Sequence, residues 1–273
     1  MYKQLVGFCA ALMMAAVFSL PARGDLLVYE GFDYPHGTRL YGLEGGFGWG
    51  AAWASSNDGV VAANAAALSY TDAFGVSLPV EGLGLSIGRT YRSGERYLEN
   101  PIEEPGVYWI SFLIKPSYTL VEGQTSTIFV ELRSGTTVRM QIGKVSANPY
   151  YGLRVGSTAA YSEVDGEEKI EDVFPTQFLV VRYEIGTSTD DGQIHLFINP
   201  NLGPANRPAL EEADAVLPNF DSTRMAFNQV KVTVISGGSP TSVGRGYVDE
   251  LRIGQSYADV TVPGPAATML LIK

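Results

Sequence analysis

The sequence predicts an all-β fold in which two antiparallel sheets stack face to face. Three observations point there. Apolar and β-branched runs of strand length recur along the chain between Gly, Pro, Asn and Asp. Several of these runs alternate, so that one face is apolar and the other mixed. No stretch carries convincing helical periodicity, and Ala205–Val216 has room for one or two turns at most.

The chain opens with an export signal. Lys3 supplies a positive charge and Leu5–Leu20 is apolar or small throughout. Pro21-Ala22-Arg23-Gly24 then sets small residues before a cut at Asp25. The apolar run falls short of the roughly 20 residues that span a bilayer. We therefore divide the chain into a signal peptide (1–24), one β domain (25–258) and a flexible C-terminal tail (259–273). About 250 residues suits a single sandwich or barrel.

Cleavage would leave no cysteine, because Cys9 is the sole one. Thiolate chemistry and disulfides are thereby excluded from the mature chain. Losing Lys3 and Arg23 would also take the net charge from −10 to −12. Such a chain, without basic runs, is a poor match for nucleic acid or an anionic membrane. A secreted or cell-surface protein is expected, with an extracellular glycan or surface polysaccharide as partner.

The strand segments are Leu26–Tyr29, Leu83–Tyr91, Val107–Ile114, Thr127–Leu132, Thr137–Ile142, Tyr150–Val155, Phe178–Ile185, Gln193–Ile198, Met225–Ile235 and Gly246–Ile253. Arg133-Ser134-Gly135-Thr136 and Thr189-Asp190-Asp191-Gly192 read as hairpin turns. Alternation assigns faces in three of the strands. Tyr108, Ile110, Phe112 and Ile114 share one side, as do Leu179, Val181, Tyr183 and Ile185, and Ile194, Leu196 and Ile198. Opposite them lie Trp109, Arg182, Glu184, Gln193 and His195. These five are the candidate ligand-binding residues, since sugar rings stack on aromatics and polar side chains pair with hydroxyls. Trp49 and Trp53, in a Gly-rich segment, read better as plugs at the core edge.

The order of three segments resembles exported bacterial proteins with a concanavalin A-like (LamG-like) jelly roll. These are Leu27-Val28-Tyr29-Glu30-Gly31-Phe32-Asp33-Tyr34-Pro35 with Gly45-Gly46-Phe47-Gly48-Trp49 and Trp53; then Phe178–Ile185 with Asp191–Pro200; and Tyr247-Val248-Asp249-Glu250-Leu251-Arg252-Ile253-Gly254. Val262-Pro263-Gly264-Pro265-Ala266 is similar to the start of a PEP-CTERM sorting signal. Gly264 stands in place of its Glu, and the following membrane helix and arginine cluster are missing. The resemblance implies an antiparallel two-sheet jelly-roll sandwich. It leaves function open among lectins, glycanases and adhesion modules.

Two further sites are candidates. Glu30 and Asp33 on the first strand and Asp249 on the last would form a structural calcium site if the chain ends pair, with ordinary strand-end acids as the alternative. Glu163, Asp165 and Glu168 match the Glu-x-Asp-x-x-Glu spacing of laminarinase-type glycoside hydrolases. There, alternation aims carboxyls about 5 Å apart at one sugar. Asp165-Gly166 is a turn dipeptide, however, and the neighbours are charged, so a solvated hairpin tip explains the cluster better. A non-catalytic carbohydrate-binding or surface module is the leading expectation. A glycoside hydrolase or lyase and a structural matrix protein are the alternatives.

Overall fold

The computed structural model describes residues 26–55, 60–61, 68–88, 92–118, 126–146, 150–162, 175–187, 189, 192–236 and 244–262. The signal segment, the Glu163–Asp165–Glu168 cluster and residues 263–273 lie outside them. The strands are β1 (Leu26–Glu30), β2 (Ala54–Ser55), β3 (Val60–Val61), β4 (Leu85–Gly88), β5 (Arg92–Ile102), β6 (Gly106–Tyr118), β7 (Ser126–Ser134), β8 (Thr137–Lys144), β9 (Gly152–Val155), β10 (Thr158–Tyr161), β11 (Gln177–Ile185), β12 (Gly192–Ile198), β13 (Ala215–Phe220), β14 (Phe227–Ser236) and β15 (Gly244–Gly254). One short helix, α1 (Tyr257–Thr261), follows. No helix among the described residues is long and apolar enough to cross a membrane.

The strands form two antiparallel sheets. An eight-stranded sheet runs β13-β12-β11-β6-β15-β4-β3, with β1 also paired to β15, and a seven-stranded sheet runs β10-β9-β8-β7-β14-β5-β2. Neighbours far apart in sequence, such as β6 beside β15 and β5 beside β14, make this a jelly-roll sandwich. The predicted apolar sides of β6, β11 and β12 all face the space between the sheets. There they meet Ile128, Val130 and Leu132 of β7 and Val230, Val232 and Val234 of β14. Period-two alternation on both inner faces is what lets one core serve both sheets.

The N-terminal loop plugs one edge of that core. Trp53 and Leu40 pack over Gly94 of β5, where an added Cβ would come within 2.5 Å of Leu40. Arg96 enters the same space and stacks on Trp49 at 5.0 Å, while its guanidinium holds Glu30 at 2.7 Å.

Several elements differ from the sequence expectation, among them the unanticipated strands β10 and β13, and two of the differences matter most. β5 escapes pattern reading because Arg92-Ser93-Gly94-Glu95-Arg96-Tyr97-Leu98-Glu99-Asn100-Pro101-Ile102 is polar and carries Gly and Pro. Its strand state comes from the ladder to β14. The tail boundary also moves. Asp259, Val260 and Thr261 are buried in α1, which starts at a capping box where Asp259 Oδ2 accepts from Ser256 N at 2.7 Å.

Candidate functional site on the seven-stranded sheet

The expected ligand-binding residues lie side by side on the outer face of the eight-stranded sheet. Trp109 pairs with Arg182 and Arg182 with His195 across β6, β11 and β12. Arg182 also meets Glu184 at 3.6 Å, and Gln193 is exposed beside them. Alternation therefore places the five on one face. It does not leave Trp109 available to a ligand. Trp109 is 3% exposed, stacked against Phe197 and set edge-on to Tyr257 at 5.2 Å. A second hydrophobic cluster covers this part of the sheet, with Tyr70, Leu78, Leu202 and Val260 above Trp109, Leu113 and Phe178. His195 is buried as well. Burial, and then the charge of Arg182, lowers its pKa below the ordinary histidine value, so the ring is neutral near pH 7. The tryptophan expected to meet a ligand is instead part of a third packed layer.

The calcium ligands do not form one site. β1 does pair with β15, as expected, with Glu30 opposite Leu251. But Glu30 points between the sheets, where it accepts hydrogen bonds from Phe32 N, Tyr34 Oη and Trp53 Nε1 besides pairing with Arg96. Asp249 pairs with Leu113 and points to the other side of the sheet, accepting from Leu68 N and Glu250 N. Burial, and then the adjacent Glu250 carboxylate, raises Asp249 well above the usual carboxylate range. Asp33 is exposed. Among the described residues no group of three or more Asp, Glu, His or Cys is placed to hold a metal ion.

The opposite face of the molecule has a different chemistry. On the outer side of the seven-stranded sheet, register brings Glu95, Lys231, Glu131, Gln141 and Arg154 into one row across β5, β14, β7, β8 and β9. Paired residues project to the same side, so five adjacent strands contribute one polar side chain each. Arg133, two residues along β7, ties the acids together. Its Nη1 lies 3.1 Å from Glu95 Oε2 and its Nε 3.8 Å from Glu131 Oε2. Gln141 Nε2 donates to Glu131 Oε1 at 2.8 Å. Exposure falls from rim to middle. Tyr97 on β5 is 45% exposed, whereas Glu131 on the central strand keeps only 7%.

The far rim is Tyr161 on β10. Gly152 opposite it lets the ring fold down, since a Cβ there would meet Tyr161 Cδ1 at 2.7 Å. Hydrogen bonds with Ser146, and then with Arg154, hold the Tyr161 pKa below the ordinary tyrosine value. The arrangement thus offers donors and acceptors fixed by one another, with one aromatic ring diagonal to each end of the row. Sequence reading missed this face because β5 was not recognised and because Glu131, Gln141 and Lys231 look like ordinary polar positions. The available signal was the polar member of each alternating pair in β7, β8 and β14.

Fold and site together define a jelly-roll sandwich with one outer face capped by a hydrophobic layer and the other bearing a polar row. No family model matches this chain, and no curated protein matches it. Among solved structures it is similar to endo-1,3-beta-glucanase from Streptomyces sioyaensis, at 10% identity and TM-score 0.45, over 86% of this chain and 97% of that one. It is also similar to the catalytic domain of the glycoside hydrolase family 131 protein from Coprinopsis cinerea, at 17% identity and TM-score 0.40, over 67% and 75%. A third likeness is to lectin UEA-II complexed with galactose, at 10% identity and TM-score 0.35, over 74% and 97%. At these values the likeness is one of outline and transfers no residue role.

Proposed function

We propose that this protein is an exported carbohydrate-binding module that holds a glycan chain on the outer face of its seven-stranded sheet. The observation that carries the reading is the single row of Glu95, Lys231, Glu131, Gln141 and Arg154, flanked diagonally by Tyr97 two residues along β5 and by Tyr161 two residues along β10 from the position opposite Arg154. Glycan sites combine a flat ring for the C–H face of a sugar with a few fixed polar groups for its hydroxyls. Strands in a sheet lie about 4.8 Å apart, close to the length of one sugar ring in an extended chain. A chain laid across the strands would therefore meet a new side chain of the row at about every residue.

The test is affinity electrophoresis of the mature protein through gels holding a β-1,3-glucan, a xylan, polygalacturonate or alginate. The expected result is retardation by at least one polymer, reduced in Tyr97→Ala and Gln141→Ala and retained in Phe74→Ala, whose ring is exposed on another part of the surface. Retardation by none of the four, or equal retardation of all variants, would overturn the reading. Incubation of the same polymers with wild type and Glu131→Gln separates binding from catalysis. Products formed by wild type alone would replace the module with an enzyme that uses Glu131.

A further inference from the structure

We infer that the ligand of this face is a carboxylated polysaccharide, a polymer of uronic acids; this rests on the glycan-binding reading above and narrows it. The chain carries a net charge of −10, with 29 acidic against 19 basic residues, so an ordinary patch of its surface would be acidic. The row is not. Its two cations, Lys231 and Arg154, balance its two carboxylates, Glu95 and Glu131, and Arg133 lies two residues along β7 from Glu131.

Those two carboxylates are engaged within the protein. Glu95 is held by Arg133 at 3.1 Å, and Glu131 accepts from Gln141 at 2.8 Å with Arg133 Nε at 3.8 Å. The acidic half of the row is therefore engaged by its own neighbours.

The half nearer β10 has no such compensation in the row. Arg154 lies in register between Gln141 on β8 and Ala159 on β10, with no carboxylate at either position. Its hydrogen-bonding companion is the Tyr161 hydroxyl, which also engages Ser146. Among the described residues, a guanidinium and a phenol thus gather at one end of the row, with Gln141, whose amide donates to Glu131, beside them. Arginine in such a setting pairs with a carboxylate through two parallel N–H donors, and the phenol can supply a further hydrogen bond. The strand spacing that matches one sugar ring to one strand would bring successive carboxylates of a polyuronate past Arg154 and toward Lys231. A neutral glucan would leave this end of the row unmatched.

Isothermal titration with polygalacturonate, alginate and carboxyl-reduced polygalacturonate tests the inference at two salt concentrations. The expected result is binding of at least one polyuronate that weakens with salt, and at least tenfold weaker binding to the carboxyl-reduced polymer. Arg154→Gln should weaken polyuronate binding about tenfold, the scale of one charge-assisted pair, while its thermal unfolding stays at the wild-type value. Binding of the carboxyl-reduced polymer as tightly as polygalacturonate, with equal affinity in wild type and Arg154→Gln, would overturn the ligand class and leave the glycan site standing. Absence of binding to every polymer would overturn both.

Discussion

The outer faces of the two sheets come from strands with the same kind of alternation, yet they have opposite fates. On β6, β11 and β12 the outward residues include Trp109, Phe178, Val180 and Phe197, and these are covered by α1, by the segment around Tyr70 and Leu78, and by Leu202. On β7, β8 and β14 the outward residues include Glu131, Arg133, Gln141 and Lys231, and among the described residues no hydrophobic cluster overlies them. Apolar outward residues are satisfied by a further layer, at the cost of access. Polar outward residues satisfy each other: Glu131 keeps only 7% exposure, while Glu95, Lys231, Gln141 and Arg154 stay part-exposed. The nature of the second face, more than the alternation itself, decides which sheet can bind.

The largest effect that would break this contrast is on Trp109. Trp109→Ala should destabilise the fold by about 3–5 kcal/mol, as expected for a buried tryptophan, and leave glycan affinity of the remaining folded protein unchanged. Urea unfolding and titration report the two halves of that statement separately. A stability loss within about 0.5 kcal/mol would mean that the third layer does not close over the ring.

A second contrast lies within one strand. β8 offers Gln141 outward, but Lys144 at its end pairs with Ile128 and is buried. Burial pushes the Lys144 pKa down to about 8, below the ordinary lysine value of about 10.4. Between these values the unfolded chain holds the proton more firmly than the folded one, so stability rises as pH climbs from about 8. Below that range the buried ammonium is a standing cost. Lys144→Met should flatten the rise between pH 8 and pH 9.5 in urea unfolding, and raise stability at pH 7 by about 1–3 kcal/mol.

The smallest effects belong to the polar members of the set that the sequence put forward. The Arg182–Glu184 pair spans 3.6 Å with Glu184 half exposed, and exposed pairs contribute about 0.2–1 kcal/mol. Glu184→Ala and Gln193→Ala should each change stability by less than about 1 kcal/mol and leave glycan affinity within twofold. A larger loss of affinity would move the binding site to the eight-stranded sheet.

Much of the fold was legible because burial on a sheet imposes a period of two. Tyr108, Ile110, Phe112 and Ile114 announce their inner face without any knowledge of their partners, and so do Leu179, Val181, Tyr183 and Ile185. A pairing of β1 with β15 was open from the sequence, as the condition for a shared site of the chain-end acids, and it is present. The acids themselves do not converge, because Glu250 adopts a left-handed backbone (φ 52°) in a bulge that shifts the register between Asp249 and Arg252. Glu250 is held there by Tyr29 Oη, Glu81 N and Arg252, the last at 2.6 Å. Glu30 and Asp249 end on opposite sides of the sheet in consequence. Nor could sequence show that Trp109 is capped, since its cover comes from Tyr70, Leu202 and Tyr257, far apart in the chain. The row on the seven-stranded sheet depends on registers across five strands, which no local pattern records.

The most direct test is a heteronuclear NMR titration of the mature protein with oligogalacturonate, following side-chain Nε–H signals of arginine and amide signals of glutamine. Arg154, Arg133 and Gln141 should shift first and together, while Arg182 and Gln193 stay at their free positions. Shifts confined to Arg182 and Gln193 would contradict a glycan site on the seven-stranded sheet.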